Sequence, residues 1–376
     1  MKDLEKLREE IDGIVREIVD LFEKRMALTE EVADYKITSG KPVLDRRREQ
    51  EKLDEIKALT HSDFNGRGAA ELFSQIMSLS RKRQYQMLAD RGLSEEIPFR
   101  EVEELPVSGI RAVFQGERGA YAEEALFTFF GRETEAYHVE TWRDAMEEIS
   151  SGKADYAVLP FENSSAGFVS ENYDLISEYD VAVVGEQIIP INHCLLSRRE
   201  VPLEKIRQVY SHPQALMQCS AFLEEHRTME RISLKNTAVA AKKIMEDDRD
   251  DEAAIASALT ADIYGLTILK RGIQNNASNS TRFFIISRDK IYVKGAEKIS
   301  LVFEIPHESG SLYRALSHFI FNGINMNRIE SRPMREKTWE YRFFVDIDGN
   351  LHDTAVQNAL RGLNEETNRL RIFGNY

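Results

Sequence analysis

Four stretches of the chain gather small hydrogen-bonding side chains where strand-like runs begin or end. PFENSSAGFV (160–169) sets Glu162, Asn163, Ser164 and Ser165 directly behind the apolar run YAVL. SHPQALMQC places Ser211, His212 and Gln218 after a second such run, at the start of a helical one. NNASNSTRFFIIS puts Asn279, Ser280, Thr281 and Arg282 at the head of a third, and INHCL supplies His193. Neutral donors at strand and helix ends, where backbone N–H groups also point outward, suit a compact anion that carries hydroxyls. Taken singly, each has a plainer reading. Asn163 and Ser164 read as an N-cap, Ser211 as a cap before Pro213, and Thr281 as an ordinary strand threonine. His193 competes as an acid, although a lone histidine in an apolar run is more often structural.

A second set of residues is cationic. Arg25 and Lys36 are eleven residues apart, which returns them to nearly one helix face ~16 Å apart. Arg8 lies 28 residues before Lys36, roughly 42 Å along the same helix, so one small ligand cannot reach both ends. A second copy lying antiparallel would bring its Arg8 beside Arg25 and Lys36. On spacing alone the plainer reading is that these cations are solvated flanks of a heptad seam.

The elements that must position these residues follow from periodicity. Leu4, Leu7, Ile11, Ile14, Ile18 and Leu21 alternate steps of three and four and continue through Met26, Leu28, Val32 and Tyr35. That is the seam of a long helix ended by Gly40 and Pro42. Further helices are expected over 45–60 and 68–90. GLSEEIPFREVEELPVSG reads as a linker over 91–108. From Ile110, β-rich runs alternate with helical ones, which predicts an α/β domain with a largely parallel sheet, long enough to divide into two lobes. VAVVGEQIIPINHCLLS and STRFFIIS read as extended chain crossing between lobes. After a polar connector, the order strand, helix, strand, strand, helix, strand predicts a ferredoxin-like split βαβ unit.

Composition bounds the function. At 376 residues the chain is too long for one core. A hydrophobic content of 42% with 30% charged residues is that of a soluble globular protein, and no apolar run approaches the ~18 residues of a membrane helix. The formal charge of −14 argues against nucleic acid or an anionic membrane as the main partner. Two cysteines, Cys194 and Cys219, form no disulfide framework, and MKDLEKLREE reads as charged helix rather than a secretory signal, so a cytoplasmic location is expected. GERGAYAEEA follows a strand, but its glycines lack the G-x-G-x-x-G spacing of a dinucleotide site.

Three resemblances sharpen these readings. LREEID, EKRMAL, Lys36, PVLDRRREQ and LSRKRQ resemble the all-helical, dimeric chorismate mutase family over residues 4–90. The resemblance implies a pocket of Arg8 from a partner chain, Arg25, Lys36, Arg48, Glu49, Ser80 and Gln84, with Asp45 at its edge. Chorismate becomes prephenate by a pericyclic rearrangement, so the task is to hold a dianion in its compact conformer and to stabilise charge on the breaking ether oxygen. Arginines fork onto carboxylates; Lys36 and Gln84 would donate to the ether oxygen and Glu49 would accept from the ring hydroxyl. Because an amide donates at any pH, a flat pH profile above neutrality is expected.

QGERGAYAEEA, PFENSSAGFV, NHCLL, YSHPQALMQC and NSTRFFII resemble prephenate dehydratases, in that family's order, over residues 110–287. Ala120 and Ala122 stand where the family shows threonine and serine. The resemblance implies a two-lobed, periplasmic-binding-protein-like domain with substrate in its cleft. Prephenate loses carbon dioxide and water, the leaving carboxylate supplies the electrons, and only the departing ring hydroxyl needs a donor. Thr281 would be that donor, within a network. Glu162, Asn163, Ser164, His193, Ser211 and Gln218 would surround the substrate, and Arg282 would supply fixed charge. ESGSLYRAL and IESRPMR resemble an ACT domain, which implies phenylalanine held between paired modules by Gly310, Ser311, Leu312, Glu330, Ser331, Arg332 and Pro333. Ser311 replaces the family's usual alanine. The expected organisation is thus a mutase domain (1–90), a linker (91–108), a dehydratase domain (109–287) and a regulatory domain (299–376), in at least a homodimer needing neither cofactor nor metal. The rival from another class is a binding protein for an aromatic acid that catalyses nothing, and Thr281 separates the two.

Overall fold

The computed structural model describes residues 3–93, 97–334 and 340–376. The chain forms two compact units, one of residues 1–97 with 298–372, the other of residues 98–297 with 373–376.

In the first unit, α1 (Leu4–Ser39), α2 (Arg46–Ala58) and α3 (Asp63–Asp90) form the helical block. Gly40 ends α1 in the left-handed conformation (φ 66°), which a glycine adopts without the Cβ penalty. Asp45 caps α2 by accepting from the Arg48 backbone N–H, and Ser62 caps α3 through the Asn65 N–H. Only Thr29 and Ala33 of α1 are buried, and the seam residues Leu4, Ile11, Ile14, Ile18 and Leu21 are each more than half exposed.

The second unit holds two sheets. The first contains β2 (Arg111–Gln115), β3 (Glu135–Val139), β4 (Tyr156–Asn163), β5 (Gly167–Phe168), β6 (Ala182–Pro190) and β12 (Ser280–Ser287), preceded in the chain by β1 (Arg100–Val102). Its order is β3-β2-β4-β12-β6, with β5 on β4. Helices α4 (Tyr121–Phe130), α5 (Trp142–Ser150) and α6 (Ser170–Glu178) connect these strands. The second sheet has β7 (Cys194–Ser197), β8 (Gln208–Ser211), β9 (Glu230–Ser233), β10 (Glu252–Ala256) and β11 (Thr267–Arg271) in the order β11-β7-β10-β8-β9. It is accompanied by α7 (Pro213–Gln218), α8 (Ser220–Glu225), α9 (Thr237–Glu246) and α10 (Ala258–Tyr264).

Each sheet has its own core, around Phe114, Val158 and Ile285 in the first and around Leu195, Val209 and Ile255 in the second. The chain crosses from β6 to β7 and returns from β11 to β12, as the two extended stretches predicted. The crossings change the strand directions. β12 runs antiparallel to both β4 and β6, and β7 antiparallel to β10 and β11. The sheets are therefore mixed rather than largely parallel.

The expected linker is also more than a spacer. Although residues 94–96 lie outside the described residues, β1 pairs in parallel with β13 (Ile291–Val293), and Phe99, Val102 and Leu105 pack on the first sheet's core. The weak periodicity hid this because a three-residue strand is too short to show one.

The C-terminal segment of the chain runs β14 (Lys298–Glu304), α11 (Ser311–Phe321), β15 (Met326–Pro333), β16 (Tyr341–Asp348), α12 (Thr354–Glu366) and β17 (Arg369–Asn375). Its sheet order is β15-β16-β14-β17. Helices α11 and α12 are strongly amphipathic and bury Ala315, Phe319, Val356, Leu360 and Leu363.

Candidate functional site

Two clusters gather most of the predicted residues. In the helical block a cavity of ~290 Å³ is lined by Arg25, Lys36, Asp45, Arg48, Glu49, Ser80 and Gln84, seven of the eight expected there. Arg25 Nη1 donates to Ser80 Oγ at 2.5 Å, and Lys36 Nζ to the Val43 carbonyl at 2.6 Å. The cap made by Asp45 starts α2 so that Arg48 and Glu49 fall on its first turn, facing the cavity. Burial lowers the pKa of Lys36, opposed by Asp45, Glu49 and Glu365. Burial likewise lowers that of Arg25, against the attraction of Glu49. Arg8 stands apart: it is exposed on α1 and does not line the cavity.

The second cluster sits where β4 and β12 end side by side, with Asn163 directly opposite Thr281. The Asn163 amide has one possible orientation. Its Oδ1 accepts the backbone N–H groups of Ser165 (3.0 Å) and Ala166 (2.9 Å), so its nitrogen faces the other way. Asn163 Nδ2 then donates to Thr281 Oγ1 at 2.9 Å and to Asn279 Oδ1 at 3.0 Å. Ser164 Oγ donates to the same Asn279 oxygen and accepts the Ser280 N–H. Thr281 Oγ1 is thus an acceptor inside the network, and its own proton has no acceptor among the described residues. The Asn279 NH2 group is buried and also unpartnered among them.

His193 lies on the β6–β7 crossing, 2% exposed. Its Nε2 is 3.0 Å from Gln218 Oε1 and its Nδ1 3.2 Å from the Tyr121 hydroxyl. Burial lowers its pKa, the Gln218 hydrogen bond opposing, so the neutral ring fills both contacts. The two crossings are tied to each other: Ile191 N–H donates to the Asn279 carbonyl and Ile273 N–H to that of His193.

Comparison with known proteins decides the family. The prephenate dehydratase model matches residues 112–291, and the chorismate mutase type II model matches residues 7–85. The bifunctional chorismate mutase/prephenate dehydratase of Aquifex aeolicus is 34% identical, over all of this chain and 98% of its own length. The chain belongs to the bifunctional chorismate mutase/prephenate dehydratase family. Among solved structures, the prephenate dehydratase of Arthrobacter aurescens in complex with L-Phe is 32% identical, with a TM-score of 0.66 over 71% of this chain and 89% of that one. A protein described as a novel type of quorum quenching acylase is 30% identical, with a TM-score of 0.65 over 71% of this chain and 97% of that one. The enzyme catalyses the chorismate mutase and prephenate dehydratase steps of phenylalanine biosynthesis.

Three predicted dehydratase residues are placed otherwise than expected. Arg282 and Glu162 neighbour Thr281 and Asn163 in sequence, so strand alternation turns them to the opposite face. There Arg282 meets Glu186 at 2.6 Å, Glu162 at 3.7 Å and the Tyr376 hydroxyl at 2.7 Å, over the Phe284 ring. Its charge is matched locally rather than offered beside Thr281. Ser211 is fully buried and donates to the Ile255 carbonyl at 2.6 Å, so its hydroxyl serves the second sheet. Gln218 is joined to His193, as above.

Other residues of the bifunctional enzyme's clusters were missed. Tyr121 comes from the stretch whose neighbours Ala120 and Ala122 depart from the family pattern. Gly119 (φ 87°) lets that stretch approach α10, where Thr260 Oγ1 donates to the Gly119 carbonyl at 2.7 Å; an added Cβ would lie 3.1 Å from the Thr260 backbone. Arg81 also lines the helical cavity. Its signal is the stripe Met77, Ser80, Arg81 and Gln84, whose i, i+3, i+4, i+7 spacing defines one helix face.

In the C-terminal segment, Gly310 is left-handed (φ 79°) at the start of α11, and Leu312 follows in its first turn. Ser311 Oγ donates to the Glu308 carbonyl at 3.0 Å. Glu330, Ser331, Arg332 and Pro333 end β15, an edge strand of the sheet. Glu304 and Arg332 both register with Arg342 of β16, so the β14–α11 turn and the end of β15 lie at one end of the sheet.

Proposed function

We propose that the helical cavity and the β4–β12 cluster are the two reaction sites. In the cavity, Arg25 and Arg48 take the carboxylates of chorismate, Lys36 and Gln84 donate to the breaking ether oxygen, and Glu49 accepts from the ring hydroxyl. Ser80 orients Arg25. A second copy, packed along the apolar stripe of α1, supplies Arg8. Its absence from the cavity lining and the exposure of Leu4, Ile11, Ile14 and Ile18 support that reading.

In the dehydratase site, Thr281 gives a hydrogen bond to the departing ring hydroxyl as carbon dioxide leaves. The observation that carries this is the fixed amide of Asn163: by donating to Thr281 Oγ1, it leaves the threonine's proton for the substrate. Asn279, with its buried NH2 group, joins as a further donor. His193 stays neutral and shapes the cleft. Asn163→Asp tests this directly. The aspartate is isosteric but cannot donate, so Thr281 would turn its proton onto the new carboxylate. The expected result is a dehydratase rate about 10²-fold lower or less, with mutase rates unchanged; an unchanged dehydratase rate overturns the role given to Asn163.

The C-terminal segment reads as a ferredoxin-like ACT module that binds phenylalanine. Its element order and strand order support this, as do the left-handed Gly310 and the placement of both expected stretches at one sheet end. Phenylalanine would bind between two such modules and favour a less active arrangement. Saturating phenylalanine is expected to lower the dehydratase rate several-fold; unchanged rates would remove the claim. No helix among the described residues is long and apolar enough to cross a membrane, and a cytoplasmic enzyme, at least dimeric, is the reading that fits the composition.

A further inference from the structure

Arg81 of α3 is nearly enclosed (its side chain 8% exposed) and joins two carboxylates from distant parts of the first unit. Its Nη1 lies 2.6 and 2.5 Å from the two oxygens of Glu49, in the mutase cavity. Its Nη2 lies 2.6 Å from Glu366, at the end of α12 in the C-terminal segment. Burial alone would lower the Arg81 pKa, but Glu49 and Glu366 more than offset it. Glu366 is braced from its other oxygen by Arg314 Nε of α11, at 3.6 Å. Nearby, the Arg46 guanidinium donates to the Glu365 carbonyl, and Lys82 Nζ to the Ser317 carbonyl at 3.1 Å. Helix α3 and the C-terminal helices are thus joined by charged contacts centred on Arg81.

A cavity that must accept a dianion has a difficulty with Glu49, whose charge repels the substrate's carboxylates. We propose that Arg81 is a positioning residue for the mutase reaction, held in place by Glu366, so that the C-terminal segment completes the mutase cavity. Arg81 offsets the charge of Glu49 and fixes its carboxylate plane, leaving the remaining lone pairs directed at the ring hydroxyl. Glu366 engages the second guanidinium nitrogen, so the fork cannot rotate away from Glu49. The inference rests on reading the cavity as the mutase site; a full-length wild-type protein that converts no chorismate would sink that reading before any variant is compared.

The test uses full-length variants with chorismate as substrate, and each variant's dehydratase rate serves as a control for folding. Arg81→Met leaves the Glu49 charge exposed to the dianion, and KM is expected to rise at least about tenfold. Arg81→Lys restores the charge but not the fork, so KM should return near the wild-type value while kcat stays several-fold low. Glu366→Ala should lower mutase kcat several-fold with little change in KM, and Glu366→Gln, which keeps an acceptor, should recover most of it. In the double variant Glu49→Gln/Arg81→Met, KM should fall below that of Arg81→Met alone, because the repulsion is gone. The proposal is overturned if Glu366→Ala leaves mutase kinetics unchanged. It is equally overturned if Arg81→Lys and Arg81→Met raise KM alike, the signature of a packing defect rather than of charge and orientation.

Discussion

Arg25, Lys36, Arg48, Lys52 and Arg81 bring five cations to the wall of one cavity in the helical block, whereas the contacts around Thr281 are amides, hydroxyls and backbone groups. The contrast follows the chemistry. In the mutase step no proton moves, so an enzyme can act only through conformer selection and fixed charge. In the dehydratase step the carboxylate's electron pair passes into the ring as neutral carbon dioxide leaves, and the negative charge departs with the ring hydroxyl, which leaves as water once it gains a proton. A neutral hydrogen-bond donor aimed at one oxygen suffices, and a strong positive field would hold back the leaving carboxylate. Arg282, one residue from Thr281, is turned to the opposite face and paired with Glu186 and Glu162. Helices suit the first task because long cationic side chains project from several directions into one groove. Strand ends suit the second because paired backbones fix two short side chains at once.

The comparison breaks most visibly at Thr281. Thr281→Ala is expected to lower the dehydratase rate about 10²- to 10⁴-fold while mutase rates stay constant, and Thr281→Ser should recover much of the loss; direct assay of phenylpyruvate checks both. Equal losses in both activities would mean one shared site. Lys36→Ala should cost about 10²- to 10³-fold in the mutase step, the usual effect of losing a donor to developing negative charge, and leave the dehydratase untouched.

A pH profile sharpens the difference. Burial holds the His193 pKa below 6.5. Were protonated His193 the acid, the dehydratase rate would drop about tenfold per unit above that pKa. A rate level from pH 6.5 to about 8.5 is expected instead, since Thr281 does not titrate there.

The smallest effect is expected at Lys82, a buried cation of α3 outside the cavity wall. Burial and the neighbouring Arg81 lower its pKa from 10.5 to about 8, Glu366 opposing. A folded-state pKa below the unfolded one makes the charged form a liability. Fold stability is thus reduced below pH 8, and this penalty lifts as pH rises from 8 through 10.5. Lys82→Met should flatten that dependence and raise stability near pH 7 by on the order of 1 kcal/mol, read by urea unfolding.

What the sequence revealed follows from how local each cause is. The seam of α1 and the alternating strands and helices of the second unit are periodic over many residues, and they were legible. The mixed strand directions were not, because a run such as STRFFIIS reads alike in either direction. In the mutase cavity the local helix pattern held Ser80 and Gln84 together. Nothing local ties Arg81 to its second partner, Glu366, which stands 285 positions away. In the dehydratase cluster, Asn163 and Thr281 were found as polar residues at strand ends. Arg282 was misplaced because a charged residue beside a functional one attracts the same role, while alternation along a strand assigns it the other face.

The exposed stripe of α1 has a kinetic side. If the stripe packs against a second copy, as proposed above, the first reaction is tied to protein concentration. On dilution, turnover of chorismate would fade while prephenate was still consumed, since Thr281 and its neighbours all come from a single polypeptide. The abundance of the enzyme, and not only the supply of its substrates, would then set how much intermediate escapes.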